Sequence, residues 1–312
     1  MGRGGVGHDT VPNSLTPPPK RLLPGPCRVV RAVDIDRTVR VKASLRVLPL
    51  AGDSAAWNMA ADEALLDAEL YYRPTLRFYE WTERAVSIGT AQRVREDLRL
   101  DRIVESGIAL VRRASGGTAI YHHHQLGISL AIENGHGLNS PDITESYRAF
   151  GQLLADAFGG LGINAEPISV AKAREKRIDG PMNRCCLAGA NPYEPFAQGR
   201  KVAGFAQIRR RDVSLIHAVI PLRFEAANWA SLLESEPWTQ SKLVENLAST
   251  VAGLDTITGR DILAGDVCEA VCAGFEAAGF ALEKGRLSAE ERQLALRLHR
   301  DKYSDATWTY RL

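Results

Sequence analysis

Apolar and polar positions alternate first at Leu45-Arg46-Val47-Leu48-Pro49-Leu50, a period of two that predicts a strand. Asp53 or Ser54 can cap a helix behind it, and the spacing predicts that helix to run to about residue 70. Residues 76–81 and 85–88 read as strands, with a short helix near 94–105. Ile108-Ala109-Leu110-Val111 and Thr118-Ala119-Ile120-Tyr121 read as buried strands joined by a glycine turn, and 128–132 continues the sheet. Tyr147, Phe150, Leu153, Leu154, Ala157 and Phe158 share one side of an amphipathic helix over 142–161, which Gly162 ends. Residues 171–195 are polar and irregular. Residues 201–208 and 213–220 look like an antiparallel pair joined through Arg209-Arg210-Arg211-Asp212. Past Leu222 the pattern is helical, over 240–251, 259–278 and 288–300. Several strands in succession, separated by short turns, predict an α+β fold. Its sheet should be mixed and largely antiparallel, with flanking helices and a helical C-terminal extension over 256–312.

Composition adds limits. Residues 1–42 are rich in Gly, Pro and Arg without sustained periodicity, and read as a disordered extension. The chain has 312 residues, 45% of them hydrophobic, enough to bury a sizeable core. A net charge of +2 gives no pointer to nucleic acid. No run reaches the roughly eighteen apolar residues a membrane span needs, and no signal peptide is evident. The cysteines are Cys27, Cys185, Cys186, Cys268 and Cys272, an odd count of five. Without a secretion signal this argues against a disulfide framework and for a reducing cytoplasm. Cys268 and Cys272 sit four apart on the expected helix, but two ligands do not complete a zinc site, and both are expected to be buried and structural.

Candidate chemistry concentrates in three places. Residues 112–122 read RRASGGTAIYH, in which Arg112 and Arg113 bring forked cationic donors. Ser115, Gly116 and Gly117 form a turn that a ligand can approach closely. Such a loop suits a phosphate, a carboxylate or a polarised carbonyl; an ordinary hairpin with exposed arginines reads equally well from the string alone. Cys186 lies in the polar segment Asn183-Arg184-Cys185-Cys186-Leu187-Ala188-Gly189, where nearby positive charge would favour a thiolate. It is either a nucleophile or an incidental loop cysteine. Lys201 opens the block Lys201-Val202-Ala203-Gly204-Phe205-Ala206 as a site cation or a solvated charge, and His217 is a site residue or a core histidine. His122, His123 and His124 invite a metal reading. Neighbouring strand residues face opposite ways, so one strand cannot aim all three at one ion, and no metal is expected.

The blocks WNMAADEAL (57–65), LRFYEW (76–81), the arginine-glycine loop, GRKVAGFAQ (199–207) and Leu215-Ile216-His217 occur in an order that resembles the biotin/lipoate protein ligase family, from about Leu45 to the C-terminus. The resemblance implies a class II biotin-ligase-like catalytic domain over 43–255, in which the loop and Lys201 surround an acyl group. Within the family the register is similar to that of the cysteine-type octanoyltransferases, since Cys186 precedes Tyr193 by seven positions, Glu194 by eight and Gly199 by thirteen. It implies Cys186 as nucleophile and Lys201 as stabiliser of the oxyanion. Arg112, Arg113, Ser115, Gly116, Gly117, His122, Gly204, Ala206 and His217 are implied as acyl- or substrate-binding residues. Octanoyl would pass from the phosphopantetheine arm of acyl carrier protein, through a cysteine thioester, to a lysine of a lipoyl domain such as the glycine-cleavage H protein, with no cofactor of the enzyme's own. The family's ATP-dependent lipoate ligases offer an alternative, with ATP and Mg²⁺. They follow the loop histidine with Asp and then Gly-Asn, where this chain has His122-His123-His124-Gln125-Leu126-Gly127. A non-catalytic acyl-binding relative is a third reading. The glycine usual after the strand histidine is Ala218 here. Arg209, Arg210 and Arg211 form either a docking tip for an acidic carrier or a solvated turn.

Overall fold

A computed structural model describes residues 1–2, 44–71, 73–176 and 178–312. The extension expected over 1–42 lies, beyond its first two residues, outside the described residues. In chain order the strands are β1 (Ser44–Asp53), β2 (Thr75–Trp81), β3 (Ala85–Ile88), β4 (Ala109–Arg112), β5 (Ile120–His122), β6 (Gln125–Glu133), β7 (Ala165–Pro167), β8 (Pro195–Ala197), β9 (Arg200–Lys201), β10 (Gly204–Arg209), β11 (Val213–Pro221) and β12 (Ala281–Lys284). The main sheet has the order β10-β11-β6-β2-β1-β12. Along β10, β11, β6 and β2 each strand is antiparallel to its neighbour, whereas β1 runs parallel to β2 and to β12. Smaller sheets β4-β3-β5 and β7-β8-β9 complete the α+β fold, whose strand pairs are mixed and mostly antiparallel, in line with the pattern.

Alternation along the strands separates a greasy face from a chemical one. Leu76 and Phe78 of β2, Leu126, Ile128 and Leu130 of β6, and Ile216, Ala218 and Ile220 of β11 join one core with Phe150, Leu154 and Phe158 of the helix Ile143–Gly160. Val267, Val271 and Phe275 of the helix Ala264–Ala277 complete it. Each fully buried side chain of this size contributes about 1.5–3 kcal/mol. The opposite face carries two rows set by register. Arg77, Ser129, His217 and Ala206 stand side by side across β2, β6, β11 and β10. Tyr79, Gly127, Val219 and Gly204 form the next row. Gly127 is required there, because a Cβ would stand 2.3 Å from the Tyr79 ring.

The first helix is Ala55–Ala64, capped by Ser54, whose side chain accepts from Trp57 N–H. It stops short of residue 70 because Asp67 turns its carboxylate onto the N–H groups of Glu69 and Leu70, satisfying them outside a helix. The expected strand 201–208 is broken: Lys201 pairs with β8, and β10 begins only at Gly204. The C-terminal region is not purely helical, since β12 extends the main sheet at its edge. A four-residue, half-exposed edge strand carries no period long enough to read. Among the described residues, no helix is long and apolar enough to cross a membrane.

Candidate active site

β4 and β5 do not pair with each other. Both flank β3, so the loop between them crosses the end of β3. Arg113 N–H bonds Ile88 O, and Thr90 N–H bonds Ser115 O. Gly89 abuts the loop so closely that a Cβ there would lie 1.7 Å from Gly117 O. Adjacent on the chain, the two arginines face opposite ways. Arg113, 3% exposed, donates to the carbonyls of Ser87, Gly116 and Thr118 and to Ser115 Oγ, and so fixes the loop from within. Arg112 is wholly buried elsewhere. It donates to the carbonyls of Gly89 and Gln92 and to Thr309 near the C-terminus, while Trp308 Nε1 donates to Arg112 O. Its guanidinium therefore ties down backbone and does not line the pocket described below.

The cysteine segment lies alongside this loop, with Cys186 N–H bonded to Ala119 O at 2.9 Å. Its two sulfurs have different fates. Cys185 is buried, its Sγ accepts from Trp229 Nε1 at 2.7 Å, and burial pushes its thiol up to about 11. Cys186 is half-buried, and its Sγ faces Gly117. A Cβ on Gly117 would stand 3.3 Å from that sulfur and 2.8 Å from Arg113 Nη2, and Gly117 itself has φ +91°. Gly117→Ala is therefore expected to reduce kcat by ten-fold or more and to cost about 1–2 kcal/mol of stability. Steady-state kinetics with urea unfolding checks this, and unchanged kcat refutes it.

Beneath the cysteine segment, Lys201 is 0% exposed. Its Nζ lies 2.7 Å from Glu194 Oε2 and donates to Gly189 O at 2.7 Å and to Cys186 O at 3.4 Å. Glu194, equally buried, also accepts from Asn191 N–H and Phe205 N–H. The ammonium thus clasps both ends of the segment that carries the thiol. Glu194 marked the spacing in the sequence, but its role as the lysine's counter-ion was not readable there.

Next to Arg113 opens a small, narrow pocket. Met59, Trp81, Ile120, Phe205 and Val219 supply apolar walls. Gly204 and Ala206 keep one wall low, and Arg113, Ser87, His122 and His217 bring the polar groups. His122 stacks on Trp81 with ring centroids 3.7 Å apart, and its Nε2 meets Ser87 Oγ at 2.8 Å. Burial, with the Arg113 charge nearby, holds its imidazole well below the usual range. The folded protein therefore keeps His122 neutral, whereas the unfolded chain protonates it near pH 6.5. The stability this contributes is present above about pH 6.5 and is lost as pH falls toward the folded value, at about 1.4 kcal/mol per pH unit. His122→Phe is expected to remove that slope between pH 6.5 and 5. Urea unfolding at both pH values measures it, and equal slopes in the two proteins refute it.

His217 Nε2 meets Ser115 Oγ at 2.6 Å, and its Nδ1 lies 3.6 Å from Asp62 Oδ2. Asp62 in turn pairs with Arg77 at 2.8 Å and accepts from Ser129 Oγ at 2.7 Å. Burial works against its charge, but Arg77 and the bonds from His217 and Ser129 outweigh that and hold its carboxyl below the ordinary range. Asp62, Arg77 and Ser87 were not singled out from the sequence. The available signal was charged residues inside apolar blocks.

With this geometry, the family comparison can be set beside the fold. A family model described as the lipoyl protein ligase A/B catalytic domain matches residues 54–276. The chain belongs to this family. Among lipoyl protein ligase A/B relatives, octanoyltransferase LipM of Geobacillus kaustophilus is 32% identical over 262 residues, covering 82% of this chain and 94% of that protein. Octanoyltransferase LipM of Kyrpidia tusciae is 33% identical over 270 residues, covering 85% and 98%. Among solved structures, the putative lipoate protein ligase Ta0514 of T. acidophilum with bound lipoic acid matches with TM-score 0.68 at 25% identity, covering 86% of this chain and 99% of that one. Lipoate-protein ligase A bound with ATP shares the fold at TM-score 0.70 and 24% identity, covering 86% and 98%.

Two surface features named in the sequence lie apart from this pocket. Past the end of β5 the alternation argument lapses. His124 has φ +54°, which brings its ring to 3.8 Å from that of His123, and ligand atoms of His123, His124 and Glu225 lie within 4.8 Å of one another. Glu225 already accepts from His123 Nδ1 and Asn228 Nδ2. At the basic turn, Arg209 bonds Pro141 O and Ser146 Oγ, and Arg210 pairs with Glu63. Arg211 remains exposed.

Proposed function

We propose that this protein is an octanoyltransferase of lipoate biosynthesis, working through a thioester on Cys186. The observation that carries the reading is the half-buried Cys186 sulfur at Gly117, flanked by the Arg113 guanidinium and held on a segment clasped by Lys201. The LipM relatives, matched over nearly their whole length, support the same reaction. The thiolate attacks the octanoyl thioester presented on the phosphopantetheine of acyl carrier protein. The pantetheine thiol leaves, and octanoyl rests on Cys186 with its chain along the apolar walls of the pocket. A lysine of a lipoyl domain, such as that of the glycine-cleavage H protein, then takes the acyl group as an amide. Thioester exchange is nearly balanced and amide formation is downhill, so the route needs neither ATP nor a metal. The Arg113 guanidinium, its N–H groups already given to the loop and Ser87, supplies positive charge beside the sulfur, and loop backbone N–H groups near Gly117 are the donors proposed for the developing oxyanion. Lys201, its charge matched by Glu194 and its other hydrogens given to the Cys186 and Gly189 carbonyls, acts by holding the thiol segment in place.

Intact-protein mass after incubation with octanoyl carrier protein tests the proposal. The expected result is a gain of one octanoyl group, released by hydroxylamine. Loading from octanoic acid only when ATP is supplied, with no acyl-cysteine, overturns it in favour of the adenylating route.

A further inference from the structure

The relay leaves one chemical duty unassigned. An acceptor lysine enters as an ammonium at neutral pH, its ordinary pKa being about 10.4, and must lose a proton before it attacks. Lys201 has no lone pair to offer, since its hydrogens go to Glu194, Gly189 and Cys186. Glu194 is sealed, loaded by Lys201, Asn191 and Phe205. His122 is locked under Trp81 and bonded to Ser87.

We infer that His217, backed by Asp62 and reached through the Ser115 hydroxyl, is the base that accepts the proton of the incoming amine. This rests on the octanoyl relay proposed above. The Asp62 carboxylate faces Nδ1 and favours the tautomer with its proton there, leaving the Nε2 lone pair for Ser115. Ser115 Oγ accepts from Arg113 Nε at 3.2 Å, so its own proton is directed to His217. Arg113 connects this pair to the sulfur: its Nε bonds Ser115 Oγ, and its Nη2 and Cys186 Sγ both border Gly117. His217 lines the pocket and keeps 11% of its side chain exposed. The groups around it are Asp62, Arg77, Tyr79, Ser129, His122, Arg113 and Ser115.

The ammonium gives one proton to Ser115 Oγ as Ser115 passes its own to His217 Nε2. The freed amine attacks the thioester carbon, the C–N bond forms, and the C–S bond breaks. The nitrogen's surplus proton goes to the departing thiolate, and the imidazolium returns its proton to water.

Single-turnover release from isolated octanoyl-Cys186 enzyme distinguishes the role. A lipoyl domain and hydroxylamine, which is unprotonated at neutral pH, serve as alternative acceptors. His217→Gln is expected to slow transfer to the lipoyl lysine by about 100-fold or more while hydroxylamine release is little changed. Ser115→Ala, a smaller perturbation with its folding checked by circular dichroism, is expected to show the same split. Wild-type lysine transfer by His217→Gln, or equal losses with both acceptors, overturns the inference while the relay stands. A wild-type enzyme that never takes octanoyl on Cys186 overturns the relay and this inference together.

Discussion

Cys186→Ala is expected to abolish octanoyl transfer, by at least about 10³-fold, because it removes the atom on which the acyl group rests. Its effect on stability is expected to stay within about 0.5 kcal/mol, since the thiol is half-buried and its loss leaves no buried polar group unpaired. The neighbouring cysteine gives the opposite phenotype. Cys185→Ala removes the acceptor of Trp229 Nε1 in a sealed core, at about 1–3 kcal/mol, and should leave the acyl-enzyme intact. Mass spectrometry for the acyl adduct and urea unfolding for stability, run on both variants, read out the pair. An acyl adduct on the Cys186→Ala protein, or full turnover by it, ends the covalent mechanism.

Lys201→Ala is expected to lower stability by about 3–5 kcal/mol, since it leaves the Glu194 carboxylate charged and sealed without its partner. For a domain of this size that is a fall in Tm of about 10 °C. Transfer should fall as well, because the carbonyls of Cys186 and Gly189 lose the group that clasps them. Lost folding and lost chemistry are separated by Lys201→Met combined with Glu194→Gln. That pair removes both charges at similar volume and should recover most of the stability. Transfer is expected to remain slower by about 10²-fold or more, because the Cys186 and Gly189 carbonyls still lack the donor that positions the thiol. Recovery of transfer together with stability would show that transfer needs neither the lysine's charge nor its clasp.

How much of this site could be read in advance differed from residue to residue. The spacing from Cys186 to Glu194 and Gly199 is a local property of the chain, and it selected the cysteine whose sulfur the fold sets against Gly117; Cys268 and Cys272, expected to be buried, are only half-buried. Which way Arg112 and Arg113 point is not local. Both sit in an apolar context at the end of β4, and only the packing of the C-terminal residues onto one face of that strand assigns Arg112 to Thr309 and Arg113 to the loop. The hairpin expected around Gly116 and Gly117 failed for a related reason. β3 inserts between the two strands, and the glycines serve its close approach through Gly89.

The elements with long, regular periods, the α+β class, the family and the register of Cys186 were all legible along the chain. Those follow from side-chain patterns repeated along neighbouring positions. Only the tertiary structure decided the partners of the charges. Glu194 meets Lys201, and Asp62 meets His217, because sheet register and a helix laid across it bring together residues distant in the chain. A buried ion or imidazole must find its partner wherever the fold delivers one, and no run of adjacent residues records where that will be.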